Sequence, residues 1–142
     1  MGNSSQNQHE TPTKILAIDD DPAILRLLGD YLTSRGYVVF QAEDGESGLE
    51  LFARETPDLV LLDLRLPGMD GLEILSHLKE DFPDTPVIIV SGQGTIKDAI
   101  AALKTGAWDY ITKPIFDLQV LHIAVKNVLE RAKEIHEKDT HQ

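Results

Sequence analysis

The sequence predicts an α/β fold, a doubly wound three-layer sandwich in which a five-stranded parallel sheet lies between two layers of helices. Two observations carry this. From Lys14 onward, five short β-rich apolar runs alternate with five longer segments of helical period. The runs LVLL at 59–62 and VIIV at 87–90 have no polar face, which suits strands covered on both sides. The chain of 142 residues is 42% hydrophobic, enough for one sizeable core and one domain.

The predicted strands are 14–18, 38–41, 59–62, 87–90 and 110–112, each followed by a helix. Asp21 is placed to cap the first helix and Pro22 suits its first turn. Ile24, Leu27, Leu28, Tyr31 and Leu32 make one apolar face, and Gly36 can end it. The second helix is expected near 45–55 and the third near 71–81. The fourth, 95–104, has Thr95 as its cap and Ile96, Ile100 and Leu103 at helical spacing. The last runs from about 116 to 137. Leu118, Leu121, Val125, Val128, Ala132 and Ile135 recur there at spacings of three and four, a short version of a coiled-coil seam. Core packing accounts for its first half, and beyond Asn127 no further core is expected for it to cover.

Residues 1–13, MGNSSQNQHETPT, are polar and aperiodic and read as a disordered tail. Gln6 stands where a myristoylation signal needs Ser or Thr, and Asn3-Ser4-Ser5 matches a glycosylation sequon with no secretory leader before it. Lys and Arg number 13 against 24 Asp and Glu, so a formal charge of −11 argues against gripping a phosphate backbone or an anionic membrane. The lack of cysteine removes disulfides, thiolate chemistry and Cys-ligated zinc, and fits a reducing cytoplasm. No apolar run approaches the roughly 18 residues of a membrane span.

In doubly wound sheets, ligands bind beyond the carboxyl ends of the strands. There the sequence places Asp19-Asp20-Asp21 after strand one, Asp63 after strand three, Ser91-Gly92 after strand four and Thr112-Lys113-Pro114 after strand five. Two carboxylates about 4 Å apart repel by roughly 4 kcal/mol at an effective dielectric of about 20, so Asp19, Asp20 and Asp63 require a cation among them. Lys113 supplies one charge. An all-oxygen site without His or Cys suits a hard ion that keeps several waters, Mg²⁺ before zinc or copper. Such an ion allows a carboxylate to attack a phosphoryl group, and Asp63, followed by the turn-rich loop 64–71, is the best nucleophile. Ser91 and Lys113 are then placed to hold phosphoryl oxygens.

The blocks IDDDP at 18–22, LVLLDLRLPGMDG at 59–71, VIIVSGQG at 87–94 and GAWDYITKP at 106–114 resemble those of receiver domains of bacterial two-component response regulators, the CheY-like superfamily. The resemblance covers the chain from Lys14 through the last helix, with the four blocks in register on a matching pattern. It implies the flavodoxin-like strand order 2-1-3-4-5, Asp63 as phosphoacceptor and an Asp19/Asp20 acidic pair. Asp20 would ligate Mg²⁺ directly and Asp19 mainly through water, with Asp63 and the Arg65 backbone carbonyl completing the protein ligands; Mn²⁺ is a possible substitute. It further implies Ser91 as switch hydroxyl, Lys113 as the partner of the phosphoryl group, Tyr110 as the aromatic that reports activation, and a cis bond before Pro114.

The implied domains are a tail at 1–13, a receiver at 14–130 and an extension of the last helix at 131–142. The implied partners are a sensor histidine kinase or phosphotransfer protein and a downstream effector. A homodimer would form through the face of helix four, strand five and helix five or through the extended helix, and no direct nucleic-acid or membrane contact is expected. The chemistry would be self-catalysed phosphorylation and dephosphorylation of Asp63 rather than enzymatic turnover, with a hydrolysis rate sensitive to Arg65 and Gln93.

Three rival functions share parts of this pattern. A haloacid dehalogenase-type phosphatase shares a strand-end Asp, a Lys and Mg²⁺, and Asp19 and Asp21 have its D-x-D spacing. Ala23, however, stands where that motif carries Thr or Val, and no second acidic pair or cap insertion follows. A flavodoxin needs a phosphate cradle where the anionic DDDP stands. A binding module that has lost phosphorylation is disfavoured because every expected group is present. His9, His77, His122, His136 and His141 form no ligand spacing and read as solvated or packed.

Overall fold

A computed structural model of the chain describes residues 11–92 and 95–140, the last three in main chain only. The elements run β1 (Lys14–Ile18), α1 (Pro22–Ser34), β2 (Val38–Ala42), α2 (Gly45–Glu55), β3 (Leu59–Leu62), α3 (Gly71–Asp81), β4 (Val87–Ser91), α4 (Ile96–Thr105), β5 (Asp109–Thr112) and α5 (Leu118–Thr140). The strands pair in parallel in the order β2-β1-β3-β4-β5. Because side chains alternate along a strand, each feeds two cores. Leu16, Ile18, Val60, Leu62 and Ile89 pack with Phe52 of α2, Ile74 and Leu78 of α3 and Ala102 of α4. Ile15, Ala17, Leu59, Leu61 and Ile88 pack on the other face with Leu28 of α1 and Leu121 and Val125 of α5.

β2 and β4 each run one residue past the predicted end and β5 starts one earlier. Ladder pairing sets these ends: Ala42 pairs with Ile18, Thr112 with Ser91, and Asp109 with Ile88. Helix starts are set by side-chain oxygens that accept orphan amides. Asp21 accepts the Ala23 amide at 2.9 Å and Thr95 accepts that of Asp98 at 3.2 Å, as their positions predict. Asp44 and Asp70, not singled out as caps from the sequence, do the same for Ser47 and Leu72. Gly36 closes α1 at φ +97°, a left-handed conformation that favours glycine.

Two helices depart from expectation. The apolar stripe of α4 points outward: Ile96 is 82% exposed, Ile100 and Leu103 each 47%, and Ala102 is the one fully buried residue of the helix. α5 starts at Leu118 rather than near Phe116, because Asp117 accepts the Gln119 amide at 2.9 Å and so caps the first turn. It then continues to Thr140. Past Asn127 it still finds core, since Val128 is buried and Arg131 lies over the Trp108 ring, 5.5 Å from its centroid. Farther along, Ile135 is 43% exposed and borders a groove of about 730 Å³ with Pro12, Pro57, Pro86, Trp108 and Leu129. No helix among the described residues is long and apolar enough to cross a membrane. Residues 1–10 of the expected tail, and Gln93, lie outside the described residues, while the Thr13 carbonyl already accepts the Val38 amide at 2.9 Å.

Candidate functional site

Backbone pairing carries the polar groups to the carboxyl ends of β1, β3, β4 and β5. The amide of Asp19 donates to the Ala42 carbonyl, that of Asp63 to the Ile18 carbonyl, and that of Lys113 to the Ser91 carbonyl, each at 3.0 Å. These bonds extend the ladder by one residue and fix the Cα positions from which the side chains converge. Asp19, Asp63 and Ser91 are the buried polar residues among those described, with exposures of 2%, 5% and 1%. The loop after Asp63 folds back so closely that a Cβ at Gly71 would stand 2.4 Å from the Leu64 Cα and 2.8 Å from the Asp63 carbonyl oxygen. Only glycine permits that return, which leads directly into α3.

Lys113 ties the carboxylates together, its Nζ donating to Asp19 Oδ2 at 2.5 Å and to Asp63 Oδ2 at 3.1 Å. The second Asp63 oxygen, Oδ1, accepts the Arg65 amide at 3.0 Å, and Asp19 Oδ1 accepts that of Asp21 at 2.9 Å. Burial raises the Asp19 pKa and outweighs the bonds from Lys113 and the Asp21 amide, which lower it. For Lys113, burial works downward, but the hydrogen bonds and charges of Asp19 and Asp63 together leave its pKa raised. The ammonium is therefore held charged between two carboxylates. Asp20 stays exposed beside them, and Asp19, Asp20 and Asp63 each bring a carboxylate oxygen within 4.8 Å of the others. Three such oxygens and no sulfur or imidazole are a donor set for a small hard cation.

The Ser91 Oγ and the Tyr110 hydroxyl are both buried and within reach of each other, and neither has any other hydrogen-bond partner among the described residues. Buried hydrogen-bonding capacity left unmet costs about 1–3 kcal/mol, so two such hydroxyls side by side at a strand end mark a place where another group is expected to bind. Burial raises the Tyr110 pKa, as does the charge of Asp98. The bond between Lys113 and Pro114 is cis. Of the sequence-predicted residues, Asp19, Asp20, Asp63, Ser91, Lys113 and Tyr110 thus converge on one rim, and Arg65 contributes its amide to it.

One residue escaped the sequence reading. Asp98 lines a cleft with Arg65 and Ser91, and its signal was its place three residues after the cap Thr95. Among the described residues the histidines stay clear of the rim: His122 packs edge-on against Tyr31 and Tyr37, and His77 and His136 are exposed, while His9 and His141 lie outside the described residues.

Residues 15–126 match the family model of the response regulator receiver domain. The chain belongs to the response regulator receiver domain family. It is 43% identical over 121 residues to the transcriptional regulatory protein GlrR of Escherichia coli strain K12, a match covering 85% of this chain and 27% of that protein. Its fold superposes on a CheY-like receiver domain protein of Methanospirillum hungatei with a TM-score of 0.84 at 31% identity, covering 87% of this chain and 98% of the other. It superposes on NtrX of Brucella abortus, solved in complex with ADP, with a TM-score of 0.88 at 34% identity, covering 93% of this chain and 30% of that one. The receiver domain therefore spans about a quarter of the length of the curated relative GlrR. Receiver domains bind Mg²⁺ through an aspartate cluster and are signalling modules rather than conventional enzymes.

Proposed function

We propose that this receiver domain takes a phosphoryl group onto Asp63 from the phosphohistidine of a sensor histidine kinase or phosphotransfer protein. The observation that supports this most is the buried Asp63 carboxylate, held by Lys113 on one oxygen and by the Arg65 amide on the other, at the mouth of a turn-rich loop. An Asp63 oxygen forms the new P–O bond as the donor's P–N bond breaks, the imidazole leaving with a proton; water later cleaves the acyl phosphate. Asp19, Asp20, Asp63 and the Arg65 carbonyl are the groups that would hold Mg²⁺, or Mn²⁺ in its place. The ion supplies neutralisation of the charge that otherwise repels an incoming phosphoryl dianion. Lys113 steadies the phosphoryl oxygens, and the buried Ser91 hydroxyl turns toward them. Tyr110 follows into the space that Ser91 vacates, so the rim has two arrangements and phosphorylation biases their balance.

The face of α4, β5 and α5 is the proposed output surface. Ile96, Ile100, Leu103, Val120 and Ile123 are exposed there, with Phe116 at 94%. A patch of this kind fits docking to an effector or to a second copy, and the α5 extension at 131–142 fits a linker or a dimer contact following a receiver at 14–130. The charge of −11 leaves nucleic-acid contact to a separate effector, and a cytoplasmic setting suits the kinase partner.

The deciding experiment is intact mass after incubation with acetyl phosphate and Mg²⁺. A gain of one phosphoryl group that requires Asp63, judged with Asp63→Asn, and that a chelator abolishes is the expected result. No gain under any condition would leave a phosphorylation-independent binding module, and steady release of phosphate from unrelated esters would favour a phosphatase.

A further inference from the structure

The cleft between the loop after β3 and the first turn of α4 encloses about 390 Å³ and is lined by Arg65, Leu66, Asp70, Leu72, Ser91 and Asp98. Asp98, the third residue of α4, closes a capping box: its Oδ2 accepts the Thr95 amide at 3.1 Å, and Thr95 Oγ1 accepts the Asp98 amide at 3.2 Å. A carboxylate has about four lone-pair sites, so one cap bond leaves acceptor capacity facing the cleft. Arg65 stands across it, with its amide fixed to Asp63 Oδ1 at 3.0 Å, so one residue borders both the nucleophile and the start of α4. The two charges are felt locally. Arg65 adds to the cap bonds from Thr95 in lowering the Asp98 pKa, and at Tyr110 the two charges act with opposite sign. α4 itself is lightly anchored, with Ile96 82% exposed and Ala102 its one buried residue, so a small electrostatic change at its start can move it.

We propose that Asp98 is a positioning residue that holds the first turn of α4 in place through the Arg65 guanidinium, and that a phosphoryl group on Asp63 competes with it for that guanidinium. The competition rests on the phosphoacceptor reading above. A phosphoryl group carries more negative charge than a carboxylate and matches the guanidinium fork in two-point geometry, so it draws Arg65 away. The Thr95 cap survives the exchange, because it depends on the Asp98 oxygen and not on Arg65. The chemical event at β3 is thereby passed to α4 along a charged route, separate from the route through Ser91 and Tyr110.

The test is amide hydrogen exchange of α4 in the full chain, comparing Asp98→Asn, Asp98→Ala, Arg65→Gln and the double variant Arg65→Gln/Asp98→Asn. The Asn variant keeps an oxygen for the Thr95 cap and loses only the charge. Without phosphorylation, Asp98→Asn and Arg65→Gln should each speed exchange at the start of α4 roughly two- to fivefold, the range that a charge–charge attraction across a partly exposed cleft supports. The double variant should exceed neither single one. If Asp98→Asn is silent and only Asp98→Ala speeds exchange, the residue is merely a cap and the proposal falls; additive single effects overturn it equally. With phosphoryl occupancy followed by intact mass, phosphorylation should loosen α4 in the native chain and loosen it less in Asp98→Asn. An equal response in both overturns the competition although the phosphoacceptor reading stands. No mass gain would instead remove that reading and the competition with it, leaving the unphosphorylated coupling as an independent result.

Discussion

The two ends of the sheet are built to different ends. At the amino-terminal rim, the strand-end groups are matched: the Asp58 amide donates to the Lys14 carbonyl at 2.8 Å, Asp58 Oδ2 accepts the Lys14 amide at 2.8 Å, and the Trp108 amide donates to the Val87 carbonyl at 2.8 Å. At the carboxyl-terminal rim, two buried carboxylates share one ammonium and two buried hydroxyls have no partner but each other among the described residues. Equivalent backbone positions at opposite ends of one sheet thus serve closure in one case and unsatisfied capacity in the other. The contrast locates function, because groups left costly in the resting state are those a ligand or modification can satisfy.

Breaking the contrast at its strongest point means removing Lys113. Lys113→Met leaves Asp19 and Asp63 buried without their cation, and a loss of about 3 kcal/mol is expected by denaturant unfolding in chelator, with part of it recovered in millimolar Mg²⁺. No recovery would mean that the rim does not accept the ion. At the opposite end, Trp108→Ala removes a half-buried ring packed against α5 and should cost about 2 kcal/mol while phosphoryl uptake by mass stays at the native level. A fall in uptake would show that the two rims are coupled.

Asp19→Asn should act in the other direction. Burial disfavours the charged Asp19 carboxylate and Asp63 still pairs with Lys113, so the metal-free melting temperature should rise by roughly 3–5 °C, about 1 kcal/mol in a domain of this size. Mg²⁺ should then add less stability than it adds to the native chain. A lower melting temperature would mean that the Asp19–Lys113 bond outweighs its desolvation. The smallest effect belongs to Asp58→Ala, which deletes one exposed acceptor and should cost about 0.5 kcal/mol by the same unfolding measurement.

Much of this was legible in the chain. The uniformly apolar runs at 59–62 and 87–90 required a sheet covered on both faces, and the position of Asp63 directly after the first of them put a carboxylate at a strand end. Asp21 and Thr95 could be read as caps because a short polar side chain before a helical period has one local use. Ile96, Ile100 and Leu103 were a different matter. Their spacing identifies a helix, but periodicity reports only that apolar residues share a face, and the packing of α4 turns that face to solvent. The reach of α5 core contacts to Val128 likewise depended on neighbours distant in the sequence, whereas the start of the helix at Leu118 rather than near Phe116 follows from the local Asp117 cap.

The sequence by itself determined the alternation of strands and helices, the strand-end aspartates and the need for a cation among them, since these follow from periodicity, local capping and the repulsion of like charges. Tertiary structure alone decided that Lys113 bridges Asp19 and Asp63, residues 94 and 50 positions away, that the Ser91 and Tyr110 hydroxyls are buried side by side, and that Asp98 borders the same cleft as Arg65. The physical reason is range. Propensities and caps act within a turn or two of the chain, whereas burial and charge pairing depend on which distant strands the ladder brings side by side.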